Sequence, residues 1–185
     1  MTANAKLDSL LSPDGATDHI RGPSSAPVTL IEYGDFECQF CWQAHAALRI
    51  MLSHFGHKVR FVFRHFPQRE VHPHAELAAE AAEAAGAQGK FWQMHELLFT
   101  HPQHLKEKNL LDYAGQVGLD IPRYRNEMSD HVYLQRVQEH MLGARHLGVR
   151  GTPAFYVNRV YTDASFGLQH LHEAIDKALL APDRG

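Results

Sequence analysis

The stretch Val28–Trp42, VTLIEYGDFECQFCW, reads as a strand, a turn and the opening of a helix. Val28–Gly34 is a short apolar run rich in β-branched and aromatic residues, set between Pro27 and a closing glycine, the pattern of a buried strand. Past the turn Asp35–Glu37, the segment Cys38–Phe55 spaces Phe40, Ala44, Ala47, Leu48, Met51, Leu52 and Phe55 by threes and fours, which is a helical stripe, and Gly56 stops it. Val59–Phe66 then alternates Val59, Phe61 and Phe63 against Arg60, Val62 and Arg64 before Pro67, a second strand. Strand, helix, strand in this order predicts a right-handed parallel crossover.

Outward from this core, residues 1–27 are rich in Ser, Pro, Gly, Asp and Ala and carry no sustained period. Residues 1–17 read as a loosely attached arm, with a short edge strand within Asp18–Gly22. The 87 residues from Phe66 to Thr152 carry helical patterns, too long a stretch for a loop and sufficient for an inserted helical subdomain. Its helices read as AELAAEAAEAAGAQ, KFWQMHELLFTH, KNLLDYAGQVGL and two more after Ile121-Pro122, ending at Leu147. Glu76, Glu80 and Glu83 read as a solvated face with small alanines packed behind it. Phe91, Trp92, Met94, Leu97 and Leu98 read as core of the subdomain. AFYVN at Ala154–Asn158 and Val160-Tyr161 form a hairpin pattern around Asn158-Arg159. A helix from Phe166 to Leu180 with Leu168, Leu171, Ile175 and Leu179 on one stripe follows. The fold class is therefore α/β, with one domain formed by residues 18–65 and 153–181 around a helical insertion at 66–152.

Composition excludes several functions. The chain has 185 residues, 44% of them hydrophobic, enough for one unit with a substantial core. Eighteen basic against 21 acidic residues leave a net charge of -3, unlike the basic balance that phosphate backbones require, so nucleic acid is not an expected partner. No apolar run long enough for a membrane span exists, and the first residues carry no hydrophobic leader core, so a cytoplasmic location is expected.

The two cysteines, Cys38 and Cys41, lie three apart where a strand turns into a helix. A disulfide-stabilised secreted scaffold would spread more cysteines along the chain, and so small a loop stabilises little, which points to chemistry over structure. Free backbone N–H groups and the positive end of the helix dipole favour a thiolate on Cys38. Cys41, one turn on, can close a disulfide after Cys38 has attacked a substrate. Asp35 and Glu37 flank the nucleophile and oppose its ionisation, so only a moderate fall in the Cys38 pKa is expected. Glu32 interrupts an apolar strand an even number of residues before Cys38. It is expected on the same face, buried below the pair, with a raised pKa suited to moving protons to and from Cys41. Pro153, at the start of the AFYVN strand and after Gly151-Thr152, is placed where an X-Pro bond can be cis. Phe40 and Trp42 are candidates for peptide contact, with Phe36 and Phe155 as further apolar groups near the motifs.

The chain has 15 histidines. His45 shares a helical face with Cys38 and Cys41, a trio able to hold zinc or copper if a fourth ligand joins. Most histidines, however, fall in HPH, HFGH and HPQH stretches at turns and helix ends, where surface imidazoles are ordinary. No metal site and no cofactor are expected.

Taken together, EYGDFECQFC at 32–41, HPHAELAAEAAEAAGAQGKFWQMHELLF at 72–99 and GVRGTPAFYVN at 148–158 resemble the DsbA-like branch of thioredoxin-fold thiol-disulfide oxidoreductases. In particular they are similar to the soluble bacterial group that also occurs fused to sodium/proton antiporters. The resemblance implies a thioredoxin fold with an all-helical insert, Glu32 as the buried acid, a cis Pro153 facing the disulfide, and Thr152 offering its backbone to an extended substrate. It implies protein or peptide thiols and disulfides as substrates, with glutathione or a thioredoxin system as redox partner. Gln39 and Phe40 replace the Pro and His of the oxidase motif, and a reducing cytosol favours reductase or isomerase work. Three other functions remain open: a non-catalytic binding or holdase module, a thiol-based metal carrier, and a glutathione-dependent isomerase or transferase. Cys41 argues against the last.

Overall fold

The computed structural model describes residues 9–165 and 167–180. Its strands are β1 (His19–Arg21), β2 (Val28–Gly34), β3 (Val59–His65), β4 (Ala154–Val157) and β5 (Val160–Thr162). Its helices are α1 (Gln39–Phe55), α2 (Ala75–Gly86), α3 (Phe91–Thr100), α4 (Glu107–Gln116), α5 (Ile121–Ser129), α6 (Leu134–His146) and α7 (Gln169–Leu180). Phe166, the expected start of the last helix, lies outside the described residues.

The strands form one sheet in the order β1-β3-β2-β4-β5. β2 and β3 are parallel, as expected for strands joined through a helix, whereas β1 pairs antiparallel to β3 and β4 antiparallel to β2. The β4–β5 hairpin closes through Asn158 and Arg159, whose φ angles of 44° and 71° give the two left-handed residues that a tight hairpin turn needs. This is a thioredoxin-type α/β sheet with α2–α6 inserted between β3 and β4.

Alternation along β2 divides the core. Ile31 and Tyr33 face a cluster with Val62, Tyr156, Leu11 and Val137, Met141 and Ala144 of α6. Leu30, Phe61, Phe63 and Phe155 face the other cluster, with Leu48, Met51 and Phe55 of α1, Leu171 and Ile175 of α7, and both cysteines. Glu32 follows Leu30 by two residues and so shares this second face.

Two expectations are corrected. Residues 9–17 are docked: Leu11 is buried, and the Leu10 and Ser12 carbonyls accept from the Arg64 guanidinium, which also binds both oxygens of Asp18 at 2.7 Å. The glutamate stripe of α2 faces inward: Glu80 and Glu83 are buried, because His131 and the pair His19 and His65 supply hydrogen bonds to them from distant segments. The histidines are mostly exposed or half-buried, as expected of surface imidazoles, with four exceptions. His45, His65, His95 and His140 are buried, and His95 lies among Phe36, Phe63, Phe91 and Phe99.

Candidate active site

Cys38 is the N-cap of α1, with extended backbone (φ -75°, ψ 122°), and no side chain caps this helix end. Its position leaves the first amides of the helix free to face sulfur. The Cys38 thiol is only slightly exposed (3%) and Cys41 is fully covered (0%), which makes Cys38 the more accessible of the two. Both cysteines are free thiols.

The Thr152–Pro153 peptide is cis and brings its own backbone against the first cysteine. Cys38 Sγ donates to the Thr152 carbonyl oxygen at 3.4 Å, across 114 residues of sequence. The cysteine pair and the threonine-proline bend, separate in the chain, thus meet at one point.

The Cys38 pKa is lowered to about 5, first because the Cys41 thiol donates to the Cys38 thiolate, against desolvation, with smaller donations from the Thr152 side chain and the backbone amides of Cys41 and Phe40. The neighbouring thiol thus outweighs the helix amides. Asp35 and Glu37, expected to oppose the thiolate, are not among the largest causes of its shift, and both carboxylates are engaged with other groups. Asp35 accepts from the Glu37 and Gln68 backbone amides at 2.8 and 2.9 Å and contacts His72 Nδ1 at 2.7 Å. Glu37 accepts from the His74 amide at 2.7 Å and contacts its ring at 2.9 Å. Cys41 shows the reverse shift: burial pushes its thiol well above the ordinary range, and its donation to Cys38 adds to this.

Glu32 lies opposite Phe63 on β3 and Phe155 on β4, both fully buried. Removed from water between two aromatic residues, its carboxyl is pushed up to about 8, first by desolvation and then by the Cys38 charge. The Glu32 charge in turn raises Cys41. Gly34 makes the arrangement possible, since a Cβ there would come within 2.5 Å of the Phe63 ring and 3.4 Å of Glu32 Oε1.

Phe40 (67% exposed) and Trp42 (44%) stand out from the first turn of α1, whereas Phe36 and Phe155 are core residues. Among the described residues Cys38, Cys41 and His45 do not assemble into a metal-binding trio, because His45 Nε2 turns to Glu96 at 3.3 Å. Sequence reasoning missed Gln68, whose side-chain amide donates to the Thr152 hydroxyl at 3.2 Å. No local pattern marks it, since its partners are 33 and 84 residues away. A cavity of about 640 Å³ lies between α1 and α7 and is lined by Ile50, Met51, His54 and His172, away from the thiols.

A family model described as thioredoxin matches residues 14–177. The chain belongs to the thioredoxin family. A thioredoxin-like oxidoreductase from Silicibacter pomeroyi DSS-3 superposes with a TM-score of 0.81 at 28% identity, covering 96% of this chain and 98% of that one. BdbD from Bacillus subtilis in its oxidised form shares the fold with a TM-score of 0.81 at 22% identity, over 91% and 96% of the two chains. The thiol-disulfide exchange protein alpha-DsbA2 from Wolbachia pipientis does so with 0.78 at 20% identity, over 95% and 96%. These likenesses extend over the helical insertion as well as the sheet.

Curated relatives are larger proteins. The Na(+)/H(+) antiporter NhaA 1 of Salinispora arenicola is 45% identical over 172 residues, 93% of this chain and 26% of that protein. NhaA of Herminiimonas arsenicoxydans is 39% identical over 155 residues, 83% of this chain and 24% of that protein. The chain thus spans about a quarter of the length of the curated relatives it matches. Among the described residues no helix is long and apolar enough to cross a membrane.

Proposed function

We propose that this thioredoxin-family chain exchanges disulfides with protein or peptide substrates through a mixed disulfide on Cys38 that Cys41 resolves. The observation that carries this reading is the contact at 3.4 Å between Cys38 Sγ and the Thr152 carbonyl, which puts an activated thiol beside a backbone edge. An extended substrate segment pairs with that edge as an added strand, presenting its disulfide to Cys38. The Cys38 thiolate attacks one substrate sulfur and expels the other as a thiolate. Cys41 then loses its proton, with Glu32 as acceptor, and its thiolate attacks Cys38, releasing the second substrate sulfur and closing the Cys38–Cys41 disulfide. Two electrons pass to the substrate, and glutathione or a thioredoxin system returns them. Phe40 and Trp42 supply apolar contact for the substrate.

A thiolate held at about 5 stabilises the dithiol form, which raises the potential above that of a pair of ordinary thiols. In a reducing compartment such as the cytoplasm such a pair rests as the dithiol, which suits isomerase work, while the raised potential itself works against net reduction. The test is reduction of insulin disulfides by the wild type and Cys38→Ser, with Cys41→Ser used to trap substrate on Cys38. Loss of turnover in the first variant and a covalent substrate adduct in the second support the reading. Equal turnover by Cys38→Ser and wild type would discard it.

A further inference from the structure

Outside the dithiol region, β1, β3 and α2 bring three metal-ligating side chains to one point. His19 Nε2 and His65 Nε2 lie 2.9 and 2.8 Å from the same atom, Glu83 Oε1. One ligand atom from each of the three residues falls within 4.8 Å of the other two. We propose that His19, His65 and Glu83 form a binding site for a borderline divalent transition-metal ion, zinc being the reference case.

The site is built, because His19 is fixed from two sides. Its ring stacks on Phe91 with an interplanar angle of 4°. On α2 it lies against Gly86, where a Cβ would come within 2.7 Å of His19 Cε1, so a side chain there would push the imidazole out of place. His65 is fully buried at the end of β3, and its backbone amide donates to His140 Nδ1 at 3.2 Å, which anchors the strand end that carries the ligand.

Two imidazoles and one carboxylate are a donor set suited to zinc with an open coordination position. The partly exposed His19 leaves a route for the ion and for water as a further ligand. Each imidazole would coordinate through its Nε2 lone pair, with the ring proton placed on Nδ1. The neighbouring guanidinium groups have anionic or carbonyl partners of their own: Arg64 is bound to Asp18 at 2.7 Å, and Arg136 donates to the Thr17 carbonyl at 2.6 Å.

The thiols also bind zinc, so the experiment uses the full chain oxidised to its Cys38–Cys41 disulfide. Zinc titrated against a chromogenic chelator should be taken up at one equivalent, and His19→Ala should weaken uptake by at least roughly a hundredfold, the upper end for loss of a mere outer-shell partner. Zinc should raise the Tm of the oxidised wild type and leave that of His19→Ala unchanged. Cobalt should give strong visible ligand-field bands without the thiolate-to-metal charge-transfer absorption of a cysteine site. This spectrum needs only the wild type, so it decides the matter even if a variant folds poorly. No zinc uptake by the oxidised wild type, equal uptake by His19→Ala, or only the weak bands of hydrated cobalt would overturn the proposal and leave a hydrogen-bond clamp between insert and sheet.

Discussion

The Gln68 side-chain amide donates to the Thr152 hydroxyl at 3.2 Å, while its backbone amide donates to Asp35 at 2.9 Å. One residue from the entry to the helical insertion therefore ties the turn before Cys38 to the threonine-proline bend. Because the Thr152 oxygen is occupied as an acceptor from Gln68, its hydroxyl proton is left to turn towards Cys38, in keeping with the lowering effect of that side chain on the thiol. Gln68 is thus a positioning residue acting through Thr152.

Replacing Gln68 by Ala should raise the Cys38 pKa and reduce kcat/KM for disulfide reduction by roughly fivefold, the equivalent of one neutral hydrogen bond of about 1 kcal/mol. Thiolate absorbance and steady-state rates measure the two effects. A variant with unchanged pKa and rate would show that the bridge does nothing for the sulfur.

The donation from Cys41 is the largest cause of Cys38 acidity. Cys41→Ala, which removes the donor, should increase the proton affinity of Cys38 roughly 10- to 100-fold, the value of a hydrogen bond to a charged group. Cys41→Ser keeps an O–H donor and should increase it less. Titrating both variants by thiolate absorbance separates this cause from the helix amides, which the two share; identical titrations would assign the acidity to the helix end alone.

Phe40 is two-thirds exposed, so Phe40→Ala should change stability by less than about 0.5 kcal/mol. If the ring contacts substrate, KM for a peptide disulfide should rise severalfold while kcat and the Cys38 pKa stay as they are. Trp42→Ala should act in the same direction. A fall in kcat with KM constant would place these rings in the machinery of the thiol instead.

The sheet, the helical insertion and the pairing of Glu32 with the cysteine face were legible in the sequence because each rests on a short period: apolar alternation, spacing of three and four, or parity along one strand. The electrostatics were not. Asp35 and Glu37 looked hostile to a thiolate from their adjacency, yet their partners Gln68, His72 and His74 lie 33 to 37 residues away. Glu80 and Glu83 formed a stripe indistinguishable from a solvated face until His131, His19 and His65 came to meet them across 51, 64 and 18 residues. Hydrophobic pattern is written locally, whereas the partner that makes a buried charge tolerable is supplied by topology.

Glu32 gives the sharpest pH test. Its pKa rises from 4.5 to about 8 in the fold, chiefly through desolvation. Below about pH 4.5 the carboxyl is protonated whether the chain is folded or not, and it contributes nothing to pH dependence. As pH rises towards 8 the unfolded chain ionises freely while the folded one holds its proton, so the fold loses stability across that window. Glu32→Gln stays neutral throughout and should be more stable than the wild type by about 3 kcal/mol at pH 7, with no such pH-dependent gain at pH 4. The same variant lacks the group proposed to take the Cys41 proton, so resolution of the Cys38 mixed disulfide should slow and the change in rate near pH 8 should vanish from its profile. Denaturant unfolding at the two pH values and single-turnover kinetics check the two halves. An equal stability difference at pH 4 and pH 7 would mean that the carboxyl is ionised in the fold, and the proton-relay role would go with it.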